Sequence, residues 1–157
     1  MKIETVDYLK IESLWWIFTA LLITAVLLPI YTSIHSSYPF YFVNIVYIVT
    51  FVTLTRYTFL LHQTFLARRQ ALKIILFFLC LPLVFYLVQE LNYFQTFLDE
   101  EGWDAVVGQL AYKKRNGMID YMRNQMLLFG VGSIIIAAIF PFRLLISVWR
   151  TRNRGTV

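Results

Sequence analysis

Residues 90–124, ELNYFQTFLDEEGWDAVVGQLAYKKRNGMIDYMRN, form the one long polar interruption in an otherwise apolar chain. Within it Trp103, Val106, Val107 and Leu110 recur at i, i+3, i+4 and i+7, a single helical stripe. Asp99, Glu100, Glu101 and Asp104 crowd its N-terminal end and Lys113, Lys114 and Arg115 its C-terminal end, the charge order a helix dipole favours. Asn116-Gly117 then offers a stop, since glycine accepts the left-handed conformation common just past a helix end. The pattern predicts an amphipathic helix over 103–115, about 20 Å long at 1.5 Å per residue, lying against the membrane or a partner.

The flanking segments decide the solvent. The chain is 59% hydrophobic with a mean hydropathy of +0.65, whereas roughly half the residues of a soluble domain are apolar. In water the surplus would lie exposed as aggregation-prone surface. Four apolar runs, about 14–31, 40–61, 71–88 and 126–148, each approach the ~20 residues that cross a ~30 Å hydrocarbon layer. The expected fold is therefore an all-α integral membrane protein. It has four transmembrane helices in one membrane domain over 1–157, with a short extracytoplasmic amphipathic helix between the third and fourth.

Local signals refine this outline. Trp15 and Trp16 open the first span at headgroup level, and Pro29 falls in its last turn. Residues 32–39 read as a tight polar turn, with Ser36 or Ser37 to cap the second helix and Pro39 near its first turn. Leu87, Leu91, Phe94 and Leu98 continue one stripe, so the third helix should project beyond the hydrocarbon and break near Gly102. Ile119, Met122, Met126 and Phe129 keep one face as well, which starts the fourth helix before the bilayer, over 118–149. Pro82 and Pro141 each remove a helical hydrogen bond and predict kinks. Residues 1–12 carry a weak amphipathic pattern, compatible with an interfacial helix or a frayed terminus. Their mixed charges do not read as a signal peptide.

Charge sets the expected orientation. Lys2, Lys10, Arg56, Arg68, Arg69, Lys73, Arg143, Arg150, Arg152 and Arg154 fall on one side, ten in all, against Lys113, Lys114, Arg115 and Arg123 on the other. Positive loops stay cytoplasmic, which places both termini in the cytoplasm of a cytoplasmic or inner-type membrane. The net charge of +5 thus reflects topology. No continuous basic patch for nucleic acid is formed.

Arg56 and Arg143 are the sharpest candidate site residues, each about six or seven residues inside the cytoplasmic edge, roughly 9–10 Å deep. Three readings stand open. Their stems can snorkel to the lipid phosphates; they can grip an anionic headgroup or an acidic partner; or Glu12, at the same edge, can pair with one of them internally. Gly130, Ser133 and Ala137 form a small-residue face for close helix contact, internal or with a partner. Trp103, Val106, Val107 and Leu110 are the remaining candidate contacts. Tyr47, Tyr57 and Tyr86 lie deep enough for their hydroxyls to need partners.

Signs of chemistry are sparse. No Asp or Glu falls within the core of any span, which disfavours a proton- or sodium-coupled pump. His35 and His62 are expected on opposite sides of the membrane, so they cannot share a metal. The lone Cys80 excludes an intrachain disulfide and a thiolate cluster. No phosphate-binding glycine loop or nucleophile elbow is present, and no cofactor is expected. The expectation is a non-catalytic accessory or scaffolding subunit of a larger membrane complex, in contact with membrane lipids and other integral membrane subunits. Two alternatives remain: a homo-oligomeric transporter or channel lined by the threonine-rich second span, and a lipid-binding or lipid-acting protein.

Overall fold

The computed structural model describes residues 5–34, 38–61, 64, 66 and 69–153, and the side chains among them from residue 10 onward. His35, Ser36, Ser37, His62, Arg68, Lys2 and Arg154 lie outside the described residues. Among the described residues five helices follow in order: α1 (Thr5–Ile34), α2 (Tyr41–Phe59), α3 (Gln70–Glu100), α4 (Asp104–Val107) and α5 (Tyr112–Asn153). Four segments among them are long and apolar enough to cross a membrane, namely Lys10–Ile34, Tyr41–Phe59, Gln70–Glu100 and Tyr112–Asn153. The chain has the architecture of an all-α membrane protein.

The helices alternate in direction, as their cross-links show. Glu12 near the start of α1 meets Arg56 near the end of α2, and Lys73 near the start of α3 meets Ser147 near the end of α5. One end of the bundle therefore gathers most of the basic residues. The other gathers Ile34, Tyr38, Phe40, Phe94 and Val107 into the core. α5 is the hub, packed against α2 on one side and α3 on the other, while α1 rests mainly on α2.

In hydrocarbon, helices gain nothing by hiding apolar surface from one another, so association rests on close packing and interhelical hydrogen bonds. Both are present. A Cβ built on Gly132 would stand 2.9 Å from the Phe51 ring, so glycine at this position lets α5 approach α2. The Tyr47 hydroxyl donates to the Leu87 carbonyl at 2.9 Å, joining α2 to α3. The Tyr121 hydroxyl donates to the Val26 carbonyl at 2.8 Å, joining α5 to α1. At the far end Phe40 sits edge-on to Phe94 and Phe97, with centroids 5.1 and 5.2 Å apart, a geometry that aromatic quadrupoles favour.

α3 ends as its sequence predicts. Gly102 adopts φ +72°, and the Gly102 amide donates to the Leu98 carbonyl at 3.1 Å, closing the helix terminus. The segment that follows differs from expectation. In place of one helix over 103–115, α4 is a single turn, Asp104–Val107, and Lys113, Lys114, Arg115, Asn116 and Gly117 belong to the start of α5.

Two effects outweigh the dipole and glycine signals. Val106 and Val107 are wholly buried in the core, which pins the turn to the bundle end. Met118 and Met122 also belong to α5's own packed stripe, so helix propagation upstream from them costs less than nucleating a second long helix. The cations then sit at a helix N-terminus, which the macrodipole disfavours. Arg115 offsets this by donating to Asp104 at 2.9 Å and to the Gly108 carbonyl at 3.0 Å. At the other terminus, residues 5–12 run without interruption into α1.

Candidate functional site

At the basic end, three cations are built into the bundle. Arg56 is 6% exposed, and its Nη2 donates to Glu12 Oε2 at 2.6 Å. The Tyr57 hydroxyl donates to the second carboxylate oxygen at 3.1 Å. The guanidinium carbon also lies 5.5 Å from the Trp15 ring centroid and 5.6 Å from that of Tyr57, within cation–π reach. Of the three readings open for Arg56, the internal pair with Glu12 is the one formed. It clamps α1 to α2, and both carboxylate oxygens are satisfied, as a partly buried charge requires.

Arg143 is half-buried and its Nε donates to the Thr58 carbonyl at 3.0 Å. Thr58 lies in the last turn of α2, where carbonyls have no intrahelical partner and the dipole favours a cation. Arg143 is thus a C-terminal cap supplied by α5. Lys73 is 1% exposed, and its Nζ donates to Ser147 Oγ at 3.0 Å. Sequence reading treated Lys73 only as part of a basic connection. The signal available was its place one turn inside α3, at a depth where an ammonium needs a partner.

The faces nominated from sequence are occupied by the chain itself. Gly130, Ser133 and Ala137 are buried, and a Cβ on Gly130 would meet Leu91 at 3.1 Å and Tyr47 at 3.5 Å. Ser133 Oγ donates to the Gly130 carbonyl at 2.8 Å. Val106 and Val107 are core residues, with Trp103 and Leu110 packed beside them. Trp103 stands edge-on to Phe94 at 6.3 Å. These residues close the bundle end over α3 and α5. Of the deep tyrosines, Tyr47 and Tyr57 are hydrogen-bonded within the chain, whereas Tyr86 is 37% exposed.

A polar cluster at the opposite end had no sequence signal beyond residue type. Asn44 Nδ2 donates to the Tyr38 hydroxyl at 2.6 Å, and all of Tyr38, Asn44 and Gln125 are buried. Burial pushes the Tyr38 hydroxyl up from its ordinary value, and the amides of Asn44 and Gln125 oppose that only in part. Asn44 Oδ1 and both amide atoms of Gln125 have no hydrogen-bond partner.

Concavities open on the outside among the described residues. A hollow of about 260 Å³ is formed by Ile23, Thr24, Leu27, Leu28, Tyr31 and Tyr41, between α1 and the start of α2. A groove of about 200 Å³ runs between α3 and α5 at the basic end. A wider one of about 390 Å³ lies beside α4, with Asp99 and Arg123 on its rim and Phe94 and Trp103 in its wall. Comparison with protein-family models, with curated proteins and with solved structures finds no match.

Proposed function

We propose that this protein is a non-catalytic accessory or scaffolding subunit of a larger membrane complex, seating a transmembrane helix of another subunit on the outer face of α1. One observation carries the reading. α1 rests mainly on α2, and its outer face presents Ala20 and Thr24 with Leu28 beyond them, one helical turn apart and all exposed. Small side chains let helix backbones approach closely in lipid, and the hollow beside Thr24, Leu27 and Leu28 is shaped to receive a large apolar side chain of the incoming helix. The chain's other small-residue face, Gly130, Ser133 and Ala137, already serves this purpose between its own helices.

The buried polar groups support a binding role over catalysis. Arg56, Arg143, Tyr47 and Tyr121 each hold one helix to another. Lys73 and Ser147 come nearest to a base and nucleophile, but Ser147 lies inside α5. Amides there are engaged in the helical ladder, which leaves a tetrahedral oxyanion without backbone donors. For orientation, the cation-rich end belongs in the cytoplasm, with both termini.

Copurification from mild detergent with mass spectrometry tests the reading. A stoichiometric integral membrane partner should be retained by the native chain and lost on Thr24→Trp or Ala20→Phe, with thermal unfolding unchanged. A native chain that purifies alone and conducts ions or solutes in sealed liposomes would instead establish the transporter alternative.

A further inference from the structure

The groove between α3 and α5 at the basic end differs in kind from the α1 hollow. Its walls are Ile74, Phe77 and Phe78 on α3 and Leu144, Leu145 and Val148 on α5, and the stem of Lys73 completes it. These side chains are large, so a second helix cannot approach closely here as it can over Ala20 and Thr24. At about 200 Å³ the groove falls below the roughly 300–1,000 Å³ of small-molecule pockets. A length of hydrocarbon chain fits both its width and its apolar walls.

The electrostatics select the headgroup. Arg69 precedes the first residue of α3, about 6 Å toward the bundle end from Lys73 by helix rise. Arg152 lies in the last turn of α5, four residues and about 6 Å beyond Val148, on the same helix face. Both are exposed. Lys10, Arg56, Lys73, Arg143 and Arg150 share this end. Among the described side chains there, Glu12 is the one carboxylate, and Arg56 holds it. The buried Lys73 ammonium adds positive potential behind the groove, where water screens it little. An apolar slot under a rim of cations complements an anionic amphiphile.

We propose that this groove seats one acyl chain of an anionic phospholipid, whose phosphate is held at the mouth by Arg69 and Arg152. The proposal needs the chain to lie in a membrane but does not depend on a partner helix at α1, which is on a different face.

Delipidated protein in neutral detergent, titrated with phosphatidylglycerol or with phosphatidylcholine of the same acyl chains and read by native mass spectrometry, tests it. Phosphatidylglycerol should be retained as a single copy with a preference of about thirtyfold, as two guanidinium contacts near a bilayer surface would give. Leu145→Trp, which fills the slot from a half-exposed position, and the exposed pair Arg69→Gln/Arg152→Gln should each abolish that preference. Arg123→Gln at the other end should leave it intact. A phosphatidylglycerol with a photoreactive group in its acyl chain should label Phe77, Phe78, Leu144, Leu145 or Val148 of the unaltered protein, so the slot is tested without any substitution. Equal retention of the two lipids, a preference that survives either variant, or labelling confined to other helices would overturn the proposal.

Discussion

Glu12 and Arg56, 44 positions apart in the chain, meet at 2.6 Å and lock the first turns of the α1 span to the last turn of α2. Arg56 is the more deeply enclosed partner, its side chain 5% exposed against 23% for Glu12. The two therefore do not lose equally when the other is removed.

Glu12→Ala leaves a guanidinium enclosed without its counter-charge, and the expected loss is about 3 kcal/mol, the lower end of the range for a broken buried pair. The rings of Trp15 and Tyr57 recover part of the deficit. Arg56→Met combined with Glu12→Leu should be markedly more stable than Glu12→Ala alone. Unfolding of the three proteins in one detergent, arranged as a double-mutant cycle, measures this; a double variant no better than Glu12→Ala would show that the lock contributes through something other than charge.

The close approach of α5 to α2 depends on Gly132. Gly132→Ala brings a methyl to 2.9 Å from the Phe51 ring and should cost about 1–3 kcal/mol through overpacking. Phe51→Leu in the same chain should return most of it. Circular dichroism melting curves for the single and double variants decide the point.

The connection after α3 predicts a contrast between two residues eight positions apart. Val107→Ala removes wholly buried methyls and should cost about 2 kcal/mol. Arg115→Ala breaks a pair whose Asp104 partner is 81% exposed and should cost less than about 1 kcal/mol. Its effect should be local, seen as faster exchange of the Gly108 amide, whose bond to the Asp104 carbonyl closes the turn that Arg115 braces. A global loss on Arg115→Ala as large as that on Val107→Ala would contradict this account of the turn.

Gln125 has a buried amide that faces the Tyr38 hydroxyl without a close hydrogen bond at either of its atoms. Gln125→Met keeps the shape and removes the unsatisfied dipoles, so stability should hold or rise by about 1 kcal/mol. The neighbouring Tyr38 adds a pH dependence. Burial raises its hydroxyl above the ordinary value of 10, so the unfolded chain loses this proton first. Its contribution is fully present below pH 10 and falls as pH rises beyond that point. Tyr38→Phe should flatten that part of the stability–pH curve while lowering stability at neutral pH through the lost Asn44 bond. An alkaline slope unchanged in Tyr38→Phe would place its origin elsewhere.

Some of the site was within reach of sequence reasoning. Glu12 stood out as an acid at the same membrane edge as Arg56, and the pairing was one of three arrangements compatible with their depths. The small-residue face Gly130, Ser133 and Ala137 was visible too, but not whether it faced a partner or α2 and α3. The depth of Lys73 signals that it needs a partner but not that the partner is Ser147, and the Tyr38–Asn44–Gln125 cluster leaves no pattern in the sequence, because each joins residues of separate segments whose relative rotation no local pattern records.

The amino-acid order alone determined that four segments can span hydrocarbon, that cations collect at one end, and that α3 breaks at Gly102. These follow from solvation and backbone freedom, which act over a few turns of chain. Tertiary structure decided that 103–115 is split instead of continuous, that Arg56 faces Glu12 and not lipid, and that α1 keeps an open face. Each of those outcomes turns on which helix lies beside which, and that is settled by contacts between distant parts of the chain, where close packing and the pairing of buried polar groups outweigh local propensity.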